Sequence, residues 1–142
     1  MEQLLEFAGN HPWLITAVTV MTLVVVVNEL RLYLRGVSDV TPQEATRLIN
    51  NNALVVDIRN HEQFLNGHII NAKNVPLTEI DQHMEKLSKN SADRVVIICG
   101  EVASTGARAA GLMKKAGIEK VVNLKGGITG WQRDNLPLKK GK

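Results

Sequence analysis

Hydrophobic and polar positions divide this chain into two unlike parts. Across residues 7–28, 22 positions, there is no Asp, Glu, Lys or Arg, and from Trp13 to Val27 the chain is almost wholly apolar. Farther on, the apolar residues gather in short runs: Ala53-Leu54-Val55-Val56, Val95-Val96-Ile97-Ile98 and Val121-Val122-Asn123-Leu124. Continuous runs of this length read as strands covered on both faces. Between them, residues 80–87 and 107–116 have helical spacing. Thr41-Pro42-Gln43-Glu44 is a helix start with a capping hydroxyl, a first-turn proline and a reciprocal glutamate, backed by Ala45, Leu48 and Ile49 and closed by Asn50-Asn51-Asn52. Strands alternating with helices predict an α/β domain over residues 36–142, a parallel sheet flanked by helices on both faces. Residues 35–40 read as a short polar link into it.

The uncharged N-terminal run is long enough for a membrane. At about 1.5 Å per residue it reaches roughly 33 Å, against a bilayer core of about 30 Å. We expect an anchor over residues 1–35 with its span at about 11–30, Pro12 in the first turn and the rings of Trp13 and Tyr33 near the two interfaces. A cleaved signal peptide fits poorly, since Glu2 and Glu6 precede the run and Asn28-Glu29-Leu30-Arg31 follows it without a small-residue cleavage site. Arg31 and Arg35 flank its far end, so the positive-inside rule leaves the C-terminal domain in the cytoplasm, on a single-pass protein of the inner (cytoplasmic) membrane. A membrane-protein partner is compatible with that placement.

Charge adds little. The net charge is +3, and residues 36–142 hold 15 Lys or Arg against 11 Asp or Glu, a surplus of 4 that is scattered apart from Lys139, Lys140 and Lys142. With few aromatics, this argues for a solvated surface and no nucleic-acid role. His11, His61 and His83 lack ligand-like spacing, so neither a metal nor an organic cofactor is expected. A single cysteine excludes an internal disulfide framework.

That cysteine, Cys99, stands where the run ending at Ile98 gives way to Gly100-Glu101-Val102-Ala103-Ser104-Thr105-Gly106. Open parallel sheets place their chemistry at the carboxyl ends of strands, which selects Cys99 and the stretch from Asp57 to Arg59. A helix start beyond Cys99 would present unpaired N–H groups and hold the sulfur as an exposed thiolate. Gly100 and Ala103 suit a tight curve, and Ser104 or Thr105 is expected to cap the helix.

The stretch Asp57-Ile58-Arg59-Asn60-His61-Glu62-Gln63-Phe64-Leu65-Asn66-Gly67-His68-Ile69-Ile70-Asn71-Ala72-Lys73-Asn74-Val75-Pro76 resembles the rhodanese-homology signature. Asn123-Leu124-Lys125-Gly126-Gly127-Ile128-Thr129-Gly130-Trp131 is similar to the closing motif of the same family. The resemblance covers roughly residues 37–138 and implies a rhodanese-like fold with Cys99 as nucleophile. It further implies that Gly100, Glu101, Val102, Ala103, Ser104 and Thr105 cradle the transferred sulfur. A Cys99 persulfide would then pass sulfur from a small donor or a persulfidated protein to a thiophilic acceptor. Asp57, Arg59 and His68 are expected to support the pocket, with His68 a buried, hydrogen-bonded group. Gly126 and Gly127 should turn the chain into a last helix that Trp131 packs onto the sheet.

Two departures from the family pattern matter. The loop has no basic residue and offers Glu101, so thiosulfate turnover should be weak. The loop also runs one residue longer than the usual sulfurtransferase form, as in phosphatases of this fold. Those need a loop-closing arginine, whereas Ser104 and Thr105 stand here and Arg108 lies a helical turn farther on. The rival to a transferase is an adaptor that uses the fold to bind another protein at the membrane, with Cys99 incidental.

Overall fold

A computed structural model describes residues 12–34 and 36–142, with no side-chain description for 31–34. The expectations for Glu2, Glu6, His11, Arg35 and the side chains of Arg31 and Tyr33 lie outside the described residues. The chain divides into two compact units, Met1–Gly36 and Val37–Lys142.

In the first unit, helix α1 runs Pro12–Leu34 and has a mean hydropathy of 1.9 over Pro12–Leu30, with none of that window buried in protein. The threonines need no water, because Thr16, Thr19 and Thr22 each donate their hydroxyl to the carbonyl four residues back, at 2.8–2.9 Å. The helix is thus long and apolar enough to cross a bilayer.

The second unit is a five-stranded parallel sheet in the order β1-β5-β4-β2-β3. Its strands are β1 (Ser38–Val40), β2 (Leu54–Asp57), β3 (Lys73–Asn74), β4 (Val96–Cys99) and β5 (Val121–Leu124). The helices are α2 (Pro42–Asn50), α3 (His61–Asn66), α4 (Ile80–Ser91), α5 (Ala103–Lys115) and α6 (Gly127–Arg133). The Thr41 capping box forms: the Glu44 amide donates to Thr41 Oγ1 at 3.2 Å, and the Thr41 amide donates to Glu44 Oε2 at 2.8 Å.

Strand alternation splits the core in two. Leu54, Val56, Val96 and Ile98 face α4 and α5 in one apolar cluster. Val55, Ile97 and Cys99 face the other way and pack with Ala45 of α2 and with Ile128 and Trp131 of α6. Helices therefore cover both faces, as the pattern predicted.

Two expectations about segments change. Residues 38–40 are not linker but an edge strand, with Asp39 and Val40 in register with Asn123 and Leu124 and the Lys125 amide donating to the Val40 carbonyl at 2.9 Å. Helix α5 starts at Ala103, four residues before the predicted 107, so only Gly100, Glu101 and Val102 separate it from β4.

Candidate active site

The carboxyl ends of β2 and β4 lie side by side, with Asp57 directly in register with Cys99. Asp57, fully buried, accepts from Arg59 Nε at 3.0 Å on Oδ1 and from Nη2 at 2.6 Å on Oδ2, and Oδ1 also takes the Arg59 amide at 3.0 Å. Nη2 reaches the Gly67 carbonyl as well, at 2.8 Å. The pair thus locks the turn after β2 to the end of α3. Burial opposes the Arg59 charge, but the hydrogen bonds and charge of Asp57, with Cys99 and Glu101, hold the guanidinium above its ordinary value. Asn74, which lies within the quoted signature but to which the sequence assigns no role, closes the turn from the other side by donating to the carbonyls of Asp57 (3.1 Å) and Arg59 (2.8 Å).

Cys99 is not the exposed thiolate expected. It is 0 % exposed, and its thiol donates to the Gly100 carbonyl at 3.8 Å. The reason is parity: as the last residue of β4 it shares a face with Ile97, opposite the face that α5 covers. The helix start therefore does not present its N–H groups to a strand-end sulfur in this state. Burial pushes the Cys99 thiol well up, Asp57 and Glu101 add to this, and Arg59 works against it.

Neither Ser104 nor Thr105 caps α5. The cap position is Val102, without a side-chain bond, and the Thr105 hydroxyl donates to the Val102 carbonyl at 2.8 Å from inside the first turn. Ala103 is already helical; the tight approach belongs to Gly100, where a Cβ would collide with Thr105 Oγ1. The loop is instead held by α6. Ile128 N–H donates to the Gly100 carbonyl at 2.9 Å, and the Thr129 hydroxyl donates to the Glu101 carbonyl at 3.1 Å. Gly127, at φ +60°, lets this contact close, since a Cβ there would meet the Gly100 oxygen at 2.6 Å. Buried Asn123 adds a second tie, donating to Asp39 (2.8 Å) and to the Ala103 carbonyl (3.0 Å). Both Thr129 and Asn123 lie within the closing motif quoted above, which was the signal for them.

His68 is 3 % exposed, bonds through Nδ1 to the Phe64 carbonyl at 2.8 Å and stacks on the Phe64 ring at 3.8 Å. Its backbone pairs with Lys139, so the C-terminal segment straps this turn. It is a support and does not reach Cys99 through any of these contacts. Trp131, 4 % exposed, packs in the Cys99 cluster and donates Nε1–H to the Pro137 carbonyl at 3.1 Å.

Above the strand ends opens a cavity of about 200 Å³, walled by Ile58, Arg59, Asn60, Gln63, Leu77, Glu101 and Thr105. Of the expected loop residues, Glu101 and Thr105 line it; Ser104 and Val102 are exposed, and Gly100 is buried beneath the loop. The Glu101 side chain is half exposed, with Oε2 3.8 Å from Arg59 Nη1 and 3.4 Å from Gln63 Nε2. The arrangement can seat a small group between one guanidinium, one carboxylate and two amides; Cys99 is not part of its wall.

A family profile for the rhodanese-like domain matches residues 41–134. The chain is 34% identical to the uncharacterized protein YibN of Escherichia coli (strain K12) over 143 residues, covering all of both chains. It is 29% identical to the uncharacterized protein YqhL of Bacillus subtilis (strain 168), over 70% of this chain and 76% of that one. Among solved structures, thiosulfate sulfurtransferase from Pseudomonas aeruginosa superposes with a TM-score of 0.67 at 20% identity, over 76% of this chain and 21% of that one. The 3-mercaptopyruvate sulfotransferase SseA from Escherichia coli gives a TM-score of 0.62 at 23% identity, over 74% and 52%. At these identities the structures share the fold. With the signature around Asp57 and Arg59, the closing motif that holds the cysteine loop and a family match over most of its folded unit, the chain belongs to the rhodanese-like domain family.

Proposed function

We propose that this protein is a membrane-anchored sulfurtransferase that carries sulfane sulfur on Cys99. The observation that carries the reading is the position of Cys99, at the end of β4 in register with Asp57, with Glu101 of the loop that follows it lining a cavity beside the strand ends. In the reaction, Cys99 sulfur attacks the sulfane sulfur of a donor, a new S–S bond forms, and the donor's own S–S bond breaks. The donor's leaving group departs with the electron pair, and the resulting Cys99 persulfide gives its outer sulfur to a thiol acceptor. Because the resting thiol is covered, the packing around Cys99 must open to admit the donor. In this reading helix α1 anchors the domain at the membrane, and the arginines after the apolar run support a cytoplasmic side for it.

The same burial favours a second reading, in which the domain is an adaptor for another membrane or cytoplasmic protein and Cys99 is a core residue. Transfer distinguishes the two. A catalytic amount of full-length protein, given an organic persulfide and excess thiol acceptor, should release sulfide over many turnovers as a second acceptor thiol reduces the acceptor persulfide to disulfide and sulfide, and Cys99→Ser should reduce release to the uncatalysed rate. Equal release from the two proteins favours the adaptor.

A further inference from the structure

Arg59 keeps one nitrogen, Nη1, that could meet an outside anion, and a carboxylate of the chain already faces it. Its Nε and Nη2 are consumed by Asp57 and the Gly67 carbonyl, and the remaining Nη1 faces Glu101 Oε2 at 3.8 Å. Glu101 is held toward that position from two sides, by Gln63 Nε2 at 3.4 Å and by the Thr129 hydroxyl on its carbonyl at 3.1 Å. Among the described residues, no other basic side chain lines the cavity.

From this we infer that Glu101 is a specificity-determining residue: it fills the anion-facing side of Arg59 with the chain's own carboxylate, so the site takes sulfur from organic persulfides and discriminates against thiosulfate. The inference rests on the transferase reading above and names its donor class. The difference lies in the leaving group. From an organic persulfide, Cys99–SH + R–S–SH gives Cys99–S–SH + R–SH, and a neutral thiol departs. With thiosulfate, Cys99–SH + S₂O₃²⁻ gives Cys99–S–SH + SO₃²⁻, and both charges of the departing sulfite build up in a cavity whose one guanidinium is already paired. Ile58 and Leu77 in the cavity wall suit an uncharged organic carrier better than an oxyanion.

The test compares second-order rates of Cys99 persulfide formation in detergent-solubilised full-length protein, using thiosulfate and the persulfide of the uncharged thiol N-acetylcysteamine. Wild type, Glu101→Gln and Glu101→Lys are measured at low and high salt. Because the two donors are compared on the same protein, any change in Cys99 acidity or in folded fraction cancels in their ratio. The thiosulfate-to-organic ratio should rise about tenfold in Glu101→Gln, more in Glu101→Lys, and the gain should shrink as salt screens a charge a few ångströms from the dianion. A ratio within about twofold of wild type in both variants, with persulfide still forming from the organic donor, overturns the role of Glu101 and leaves the transferase reading intact. No persulfide from either donor in any of the three proteins overturns the transferase reading, and this inference with it.

Discussion

Replacing Asp57 by Asn should destabilise the C-terminal unit more than any other single isosteric change near the site. Asp57 is fully buried and accepts from three Arg59 groups, its amide, Nε and Nη2. The carboxamide introduced by Asp57→Asn would keep one acceptor, turn the other oxygen into a donor aimed at Nη2, and leave a guanidinium on a residue only 8 % exposed with only the half-exposed Glu101 carboxylate, 3.8 Å away, as counter-charge. Removing one partner of a buried pair costs about 3–5 kcal/mol. With a urea dependence of about 1–1.5 kcal/mol per molar for a domain of this size, the midpoint should fall by about 2–5 M. The assay is urea unfolding of residues 36–142 followed by fluorescence of Trp131, the single tryptophan in that range. Arg59→Met in the Asp57→Asn background should recover a large part of the loss, because the orphaned charge is then gone. A loss under about 1 kcal/mol for Asp57→Asn, or no recovery in the double variant, would refute the claim that this pair locks the turn.

Trp131→Ala should cost about 3 kcal/mol or more, read by circular dichroism in urea, since the ring is packed in the Cys99 cluster; a change under about 1 kcal/mol would mean that it is not core. The buried thiol makes stability fall in alkali. Its native ionisation lies above the ordinary value, so the unfolded chain loses its proton first and stability, constant below pH of about 8.5, should drop by about 1.4 kcal/mol per pH unit above it. Cys99→Ala should lack this slope in the same urea series, and parallel curves for the two proteins would contradict the burial. Full-length protein should stay with bacterial membranes through alkaline carbonate washing, and release would contradict the anchor. Protease should remove the domain from sealed inside-out vesicles, and protection there would reverse the orientation.

Local chemistry was the legible part of this chain. The Thr41 box is complete within residues 41–44, and β2, β4 and β5 announce themselves as continuous apolar runs because both of their faces are covered. The edge strands were hidden because their conformation is imposed by neighbours: β1 by Asn123 and Leu124, β3 by Val56 and Asp57. The same holds at the site. Asp57 and Arg59 pair within two residues and could be read together, whereas the hold of Gln63 on Glu101 and of Asn123 on Ala103 joins segments 38 and 20 positions apart. The exposure of Cys99 turned on where a strand stops. With β4 continuing through Cys99, alternation sends the sulfur into the cluster of Ile97 and Trp131 rather than toward α5. Residue type suggested a Ser or Thr cap, but the helix begins earlier, with Val102 at the cap position, and Thr105 bonds backward instead.

The intact mass of the full-length protein after incubation with an organic persulfide tests the central claim most directly. If Cys99 carries sulfane sulfur, the mass rises by one sulfur atom, and the gain is reversed by reducing agent and absent from Cys99→Ser. An unmodified mass in wild type, under conditions where the unfolded protein acquires the sulfur, would contradict it and leave Cys99 as a core residue of an adaptor.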